Sequence, residues 1–229
     1  MKVLFVAPTI VGLPELGVWK EKDHIGDMKG VSLEVLTGTN VTRDRVANRL
    51  KRQYDVVIFA GHGEPGRLIV CDGKLTSHWM ARCVKASNPK VVLLVACYSA
   101  GHYSSLHNLA QEISAANVPV IAMPAVVDDD AASIYTIEFM RAFVGGETIR
   151  KAHTIGLEQM ETRTNPGQMP MFLPGLNGSE ASGLGRLENR FDEQFSSINH
   201  RLDRVLCEQG NLAVRMGDLE AGFTKLTGG

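Results

Sequence analysis

The chain has 229 residues, a hydrophobic fraction of 44% and a formal net charge of −1. That is enough apolar material for a real core, with no charge bias toward nucleic acid or an anionic membrane. The four cysteines, at 71, 83, 97 and 207, form no CxxC pair and no zinc-like spacing, so they read as reduced thiols of a cytoplasmic protein, without a disulfide framework or a metal site.

In chain order, MKVLFVAPTIVGLPELG carries one lysine, an early Pro8 and no small-residue cleavage pattern before WKEKD. It reads as a first core strand rather than a secretory signal. No apolar stretch approaches the roughly 20 residues that span a bilayer. Further apolar runs follow: VSLEVL (31–36), DVVIFAG (55–61), KVVLLVA (90–96) and VPVIAM (118–123), with RLIVCDG (67–73) as a small strand or hairpin arm. The long runs are nearly continuous rather than alternating, as strands are when both faces of a parallel sheet are covered.

Helix-period segments separate them, over 40–54, 76–87, 104–117, 128–146 and 147–163. In the second of these, Trp79 and Cys83 lie one turn apart on one face. The third stops at Asn117 before Pro119, and the fourth opens on three acids and closes on two glycines. Strand–helix alternation of this kind predicts an α/β fold, a mostly parallel sheet covered by helices on both faces, with right-handed crossovers.

Near residue 164 the pattern changes to a loop with one short edge strand at Met171–Leu173. Beyond it Leu184, Phe191, Ile198, Val205, Leu212, Leu219 and Leu226 recur at sevens, and Phe195, Leu202, Met216 and Phe223 follow four residues after members of that series. These are heptad positions, interrupted by Glu188 and Gln209. The expected organisation is a catalytic domain over 1–176, a linker over 177–183, and an amphipathic, coiled-coil-type assembly helix over 184–229, about 60 Å long. That helix either coils with other copies or docks on its own domain.

Two reactive side chains fall at strand ends, where open parallel sheets bind ligands. DVVIFAGHGEPG puts His62 after one strand and KVVLLVACYSAG puts Cys97 after the next long one. An imidazole beside a thiol accepts its proton or stabilises the thiolate. The amides of Gly63 and Cys97 are the expected oxyanion donors, a contribution of about 3 kcal/mol each. No acid stands where a third catalytic member would be obvious, so a dyad with a backbone-oriented histidine is expected.

FAGHGEPG, VVLLVACYSAG and VPVIAMPAVVDDDAASIYTIEFMRAFVGGETIRKAH together resemble the CHAT branch of the caspase-like cysteine peptidases, over roughly residues 50–175, and MFLPG looks like the closing strand of such domains. The resemblance implies a caspase-like sheet and a peptidase with His62 as base and Cys97 as nucleophile, acting without metal or organic cofactor on a protein substrate. It also implies a role in bacterial defence or programmed death. Related metacaspase-like enzymes often carry an acid two residues before the cysteine to hold a basic P1 side chain; Val95 stands there instead.

Other readings bound this one. Cys71 and Cys83 read as ordinary buried thiols, and a zinc site using His62 and Cys97 lacks paired-ligand spacing. His102 and His107 are rival bases. Asp128 either caps the helix that begins there or lines a pocket for a basic P1 residue. An amidotransferase-like hydrolase would need a Gly-x-Cys-x-Gly elbow with the histidine downstream. A third alternative is a catalytically silent scaffold whose heptad helix recruits partners. About twenty residues separate Cys97 from Val118, which leaves little room for a cleavable linker. Control is therefore expected to come through homo-oligomerisation or a regulatory protein bound at 184–226.

Overall fold

The computed structural model describes residues 1–64, 67–98, 105–123, 127–160 and 169–175, with the backbone alone at 97, 98 and 105–108. The loop holding His102, the side chain of His107, the linker over 177–183 and the heptad segment over 184–229 lie outside the described residues.

Five parallel strands form the frame: β1 (Lys2–Pro8), β2 (Ser32–Gly38), β3 (Val56–Glu64), β6 (Val91–Tyr98) and β7 (Val120–Ala122). β8 (Met171–Leu173) closes one edge antiparallel to β7, and the sheet order is β2-β1-β3-β6-β7-β8. β4 (Arg67–Val70) and β5 (Gly73–Thr76) fold back from the end of β3 as an antiparallel meander.

Each strand is apolar on both sides because each side has its own core. Leu4, Val6, Val57, Phe59, Val92, Leu94 and Ala96 share one cluster with Val46 and Leu50 of α2 (Arg43–Leu50), Met80 and Val84 of α3 (Ser77–Ser87), and Leu109 and Ile113 of α4 (Ser105–Ala115). Val3, Phe5, Val56, Ile58, Ala60, Val91, Leu93 and Val95 share the other with Ile25 of α1 (Trp19–Gly26), Tyr135 and Phe139 of α5 (Asp129–Val144), and Ala152 and Met160 of α6 (Ile149–Met160). Burial of each such aliphatic side chain contributes about 1.5–3 kcal/mol. The fold is therefore the expected α/β sheet, covered on both faces.

The helix placement follows the direction of each crossover. The step from β1 to β2 runs one way along the sheet and its helix, α1, lies on one face. The steps β2 to β3, β3 to β6 and β6 to β7 run the other way, and α2, α3 and α4 lie on the opposite face. One crossover hand throughout produces this pattern. The strand order reverses between β1 and β3, which creates a switch-point crevice at their carboxyl ends.

Several boundaries differ from the sequence reading. α1 was not expected: its sequence, WKEKDHIG, buries only Glu21 and Ile25 and has no side-chain cap. α2 is shorter than 40–54, starting after Thr42, whose side chain accepts from the Arg45 amide. β3 and β6 both run past their apolar cores, through His62 and Cys97, because the ladder between them continues to Gly63 and Tyr98.

Candidate active site

β3 and β6 pair directly, and in their register His62 is the Cα partner of Cys97. Strand side chains alternate with a period of two. Position 62 shares the parity of Val56, Ile58 and Ala60, and position 97 that of Val91, Leu93 and Val95, all members of the core beneath α1, α5 and α6. Two residues far apart in sequence thus occupy facing positions on neighbouring strands, about 4.8 Å apart.

Gly63 stands next in line, in register with Tyr98 on one side and Leu68 of the β4 arm on the other. The β4–β5 hairpin is tied back to the strand end by an ion pair between Lys74 and Glu64. Gly61, on the other side of His62, has a packing reason: a Cβ there would lie 3.3 Å from the Pro8 ring, so the lack of one lets the ends of β1 and β3 close up.

His62 is only 8% exposed, and the segment that covers it comes from the loop after β1. Gly12, at φ +86°, supplies a left-handed turn there, and the chain then crosses the end of β3 so that the Pro14 carbonyl lies 2.8 Å from His62 Nε2. A carbonyl oxygen only accepts, so Nε2 is the nitrogen that carries the proton and donates. The neutral ring therefore keeps its lone pair at Nδ1. This contact holds the ring through a main-chain group. The loop that supplies this acceptor is not legible in the sequence, because a main-chain carbonyl leaves no signature in residue type. Ala7, Pro8, Pro14, Leu16, Trp19 and Ala60 help to line a cavity of about 20 Å³ against His62 at the switch point.

The remaining candidates are placed more simply. The Asp128 side chain accepts from the Ala131 amide at 3.1 Å and caps α5, which accounts for it without a substrate. Cys71 is a free, half-buried thiol whose Sγ lies 3.5 Å from the Gly38 carbonyl and 3.6 Å from that of Thr9. Cys83, also free, packs against the core from α3, and burial pushes its thiol pKa up. Among the described residues no group of three or more His, Cys, Asp or Glu side chains is arranged to hold a metal ion, and no helix is long and apolar enough to cross a membrane.

The family model of the CHAT domain matches residues 15–164 of the chain. Among solved structures, caspase-1 from Spodoptera frugiperda is similar at a TM-score of 0.49 and 13% identity, covering 77% of this chain and 86% of that one. No curated protein matches the chain significantly.

Proposed function

The chain belongs to the CHAT domain family, and from that premise we propose that it is a cysteine endopeptidase in which His62 and Cys97 act as a dyad. The observation that carries this proposal is the register pairing of the two residues at the carboxyl end of β3 and β6. With Nε2–H held by the Pro14 carbonyl, Nδ1 is the nitrogen that takes the thiol proton. The sulfur then bonds to the carbonyl carbon of the scissile peptide while the carbonyl π pair moves to oxygen, and the amides of Gly63 and Cys97 hold that oxyanion. Collapse breaks the C–N bond as the imidazolium returns its proton to the departing amine. A water deprotonated by the same imidazole attacks the thioester, releasing the acid and restoring the thiol. No metal or organic cofactor enters these steps.

The substrate is a protein, cut in the cytoplasm in a regulated defence or cell-death response. Activity is switched on when residues 184–226 bring copies together or bind a regulatory protein. Incubation of the full chain with candidate protein substrates tests the dyad directly. Wild type is expected to cleave once assembled or bound to its regulatory partner, and Cys97→Ala and His62→Ala in the same state to lose about 10⁴-fold or more in rate. Equal cleavage by Cys97→Ala rejects the assignment.

One observation favours a second reading, a silent scaffold that recruits partners through its C-terminal segment. His62 is nearly covered, and the cavity beside it has room for about one water. The two readings part on activation: a resting peptidase gains activity when its partner is added, and a scaffold does not.

A further inference from the structure

β2 is the outermost strand on its side of the sheet, two strands removed from β3 and His62. It runs in unbroken register with β1 over all seven of its residues. Ser32 donates its amide to the Met1 carbonyl and Gly38 accepts from the Thr9 amide, so the even-numbered residues turn their main-chain groups to β1. By alternation the N–H and C=O groups of Leu33, Val35 and Thr37 point the other way, where no described strand pairs with them. Proteins usually blunt such an edge with lysine, proline or a bulge, and SLEVLTG has none of these. Val35 is left 36% exposed.

The one charged side chain of β2, Glu34, is already engaged. It lies on the α2 side of the sheet, as Leu36 does. One of its carboxylate oxygens takes both Arg49 and Arg52, the latter at 2.8 Å, and the other accepts from the Tyr54 hydroxyl at 2.7 Å. Two guanidiniums thus share one carboxylate, and the Arg52 side chain is 57% exposed. Arg43, Arg45, Arg49, Lys51 and Arg52 stand against Asp44 alone over 43–52. Arg45 and Lys51 are held by uncharged acceptors, the Asn40 carbonyl and the Asn48 side chain. Elsewhere Lys74, Lys90 and Arg141 each pair with an acid of their own.

From these observations we infer that the β2 edge is a docking site for an extended acidic segment of a partner protein, added to the sheet as a further strand. Leu33, Val35 and Thr37 supply the main-chain ladder. Every second side chain of the added strand falls on the α2 face, where a carboxylate balances the spare charge of Arg52. The alternate side chains fall on the opposite face beside Leu33 and Val35, where apolar groups fit. Charge argues against a second copy as the occupant. Two β2 edges paired about a twofold axis would set two α2 helices, each with the same excess of cations, on one face across the seam. A polynucleotide has phosphates for the arginines but no amides to continue the ladder. The site stands whether or not His62 and Cys97 act as a dyad.

Fluorescence anisotropy of a labelled heptapeptide amide alternating glutamate and valine, titrated with the full-length chain, tests this. It is expected to bind about tenfold or more tightly than the same peptide with lysine for glutamate. Arg52→Glu, which leaves Arg49 on Glu34, is expected to weaken it by about tenfold at an unchanged melting temperature. N-methylation of one alternate set of amides, the glutamates or the valines, is expected to abolish binding, and of the other set to spare it. Equal affinity of the glutamate and lysine peptides, or an equal response to the two methylated sets, overturns the inference. Oligothymidylate that binds more tightly than the peptide, and with the same dependence on Arg52, assigns the surface to nucleic acid and overturns it too. So does a doubled mass in light scattering that Val35→Lys removes, which assigns the edge to a second copy.

Discussion

At the scale of single residues, three side chains have effects whose sign follows from their surroundings. Asp128 caps α5, so Asp128→Ala is expected to lower stability by about 1 kcal/mol while leaving peptide selectivity unchanged; altered selectivity at unchanged melting temperature would instead put it in the substrate pocket. Glu21 is 3% exposed, its Oε2 has no hydrogen-bond partner among the described residues, and burial raises its pKa above the ordinary 4.5. A raised folded-state pKa means that its favourable contribution is complete below about pH 4.5 and lost as pH climbs through the folded value. Glu21→Gln is therefore expected to raise the melting temperature at pH 7, with the gap to wild type closing toward pH 4. His153 behaves oppositely. Burial, with a smaller effect of Arg150, pulls its pKa below 6.5, and it faces the Tyr135 hydroxyl at 2.6 Å. The unfolded chain then binds the proton first, so stability falls as pH drops from about 6.5 toward the folded value. Melting curves at pH 7 and pH 5 should show a smaller loss for His153→Gln than for wild type.

At the scale of elements, Gly156 in the middle of α6 decides between two opposed effects. Alanine is favoured over glycine in a helix by about 1 kcal/mol, but a Cβ here would stand 2.8 Å from the Tyr135 ring and 3.2 Å from its carbonyl. The α5–α6 contact has no slack, so Gly156→Ala is expected to destabilise by about 1–3 kcal/mol, readable in a urea midpoint. Element type was legible wherever a long apolar or amphipathic period existed: β1, β3, β6 and the helices α3 to α6 all lie where their patterns place them. α1 was not legible, because eight mostly charged residues with two buried positions have no period to read. The ends of β3 and β6 lie beyond their apolar runs because Gly61, His62, Gly63 and Cys97 are held in the sheet by pairing rather than by β propensity.

At the scale of the whole molecule, the sheet's direction and two-sided cover could be read from uninterrupted Val- and Ile-rich runs, and the placing of positions 62 and 97 on one sheet edge from the rule that parallel strands end on one edge. The contact of the Pro14 carbonyl with His62 depends on the path of a loop that crosses back over β3, and no local spacing encodes that path. Removal of residues 184–229 is expected to lower the oligomeric mass or abolish activation by a partner; an unaltered mass in light scattering together with unaltered activity would detach that segment from regulation. The central claim, that the imidazole at 62 governs the thiol at 97, is tested most directly by the pH profile of Cys97 alkylation. Mass spectrometry of the Cys97 peptide after brief iodoacetamide exposure would follow wild type and His62→Ala. The expected result is a wild-type inflection well below the ordinary thiol value of about 8.5, returning to that value in His62→Ala. Superimposable profiles, or a Cys97 that reacts only after denaturation, would contradict it.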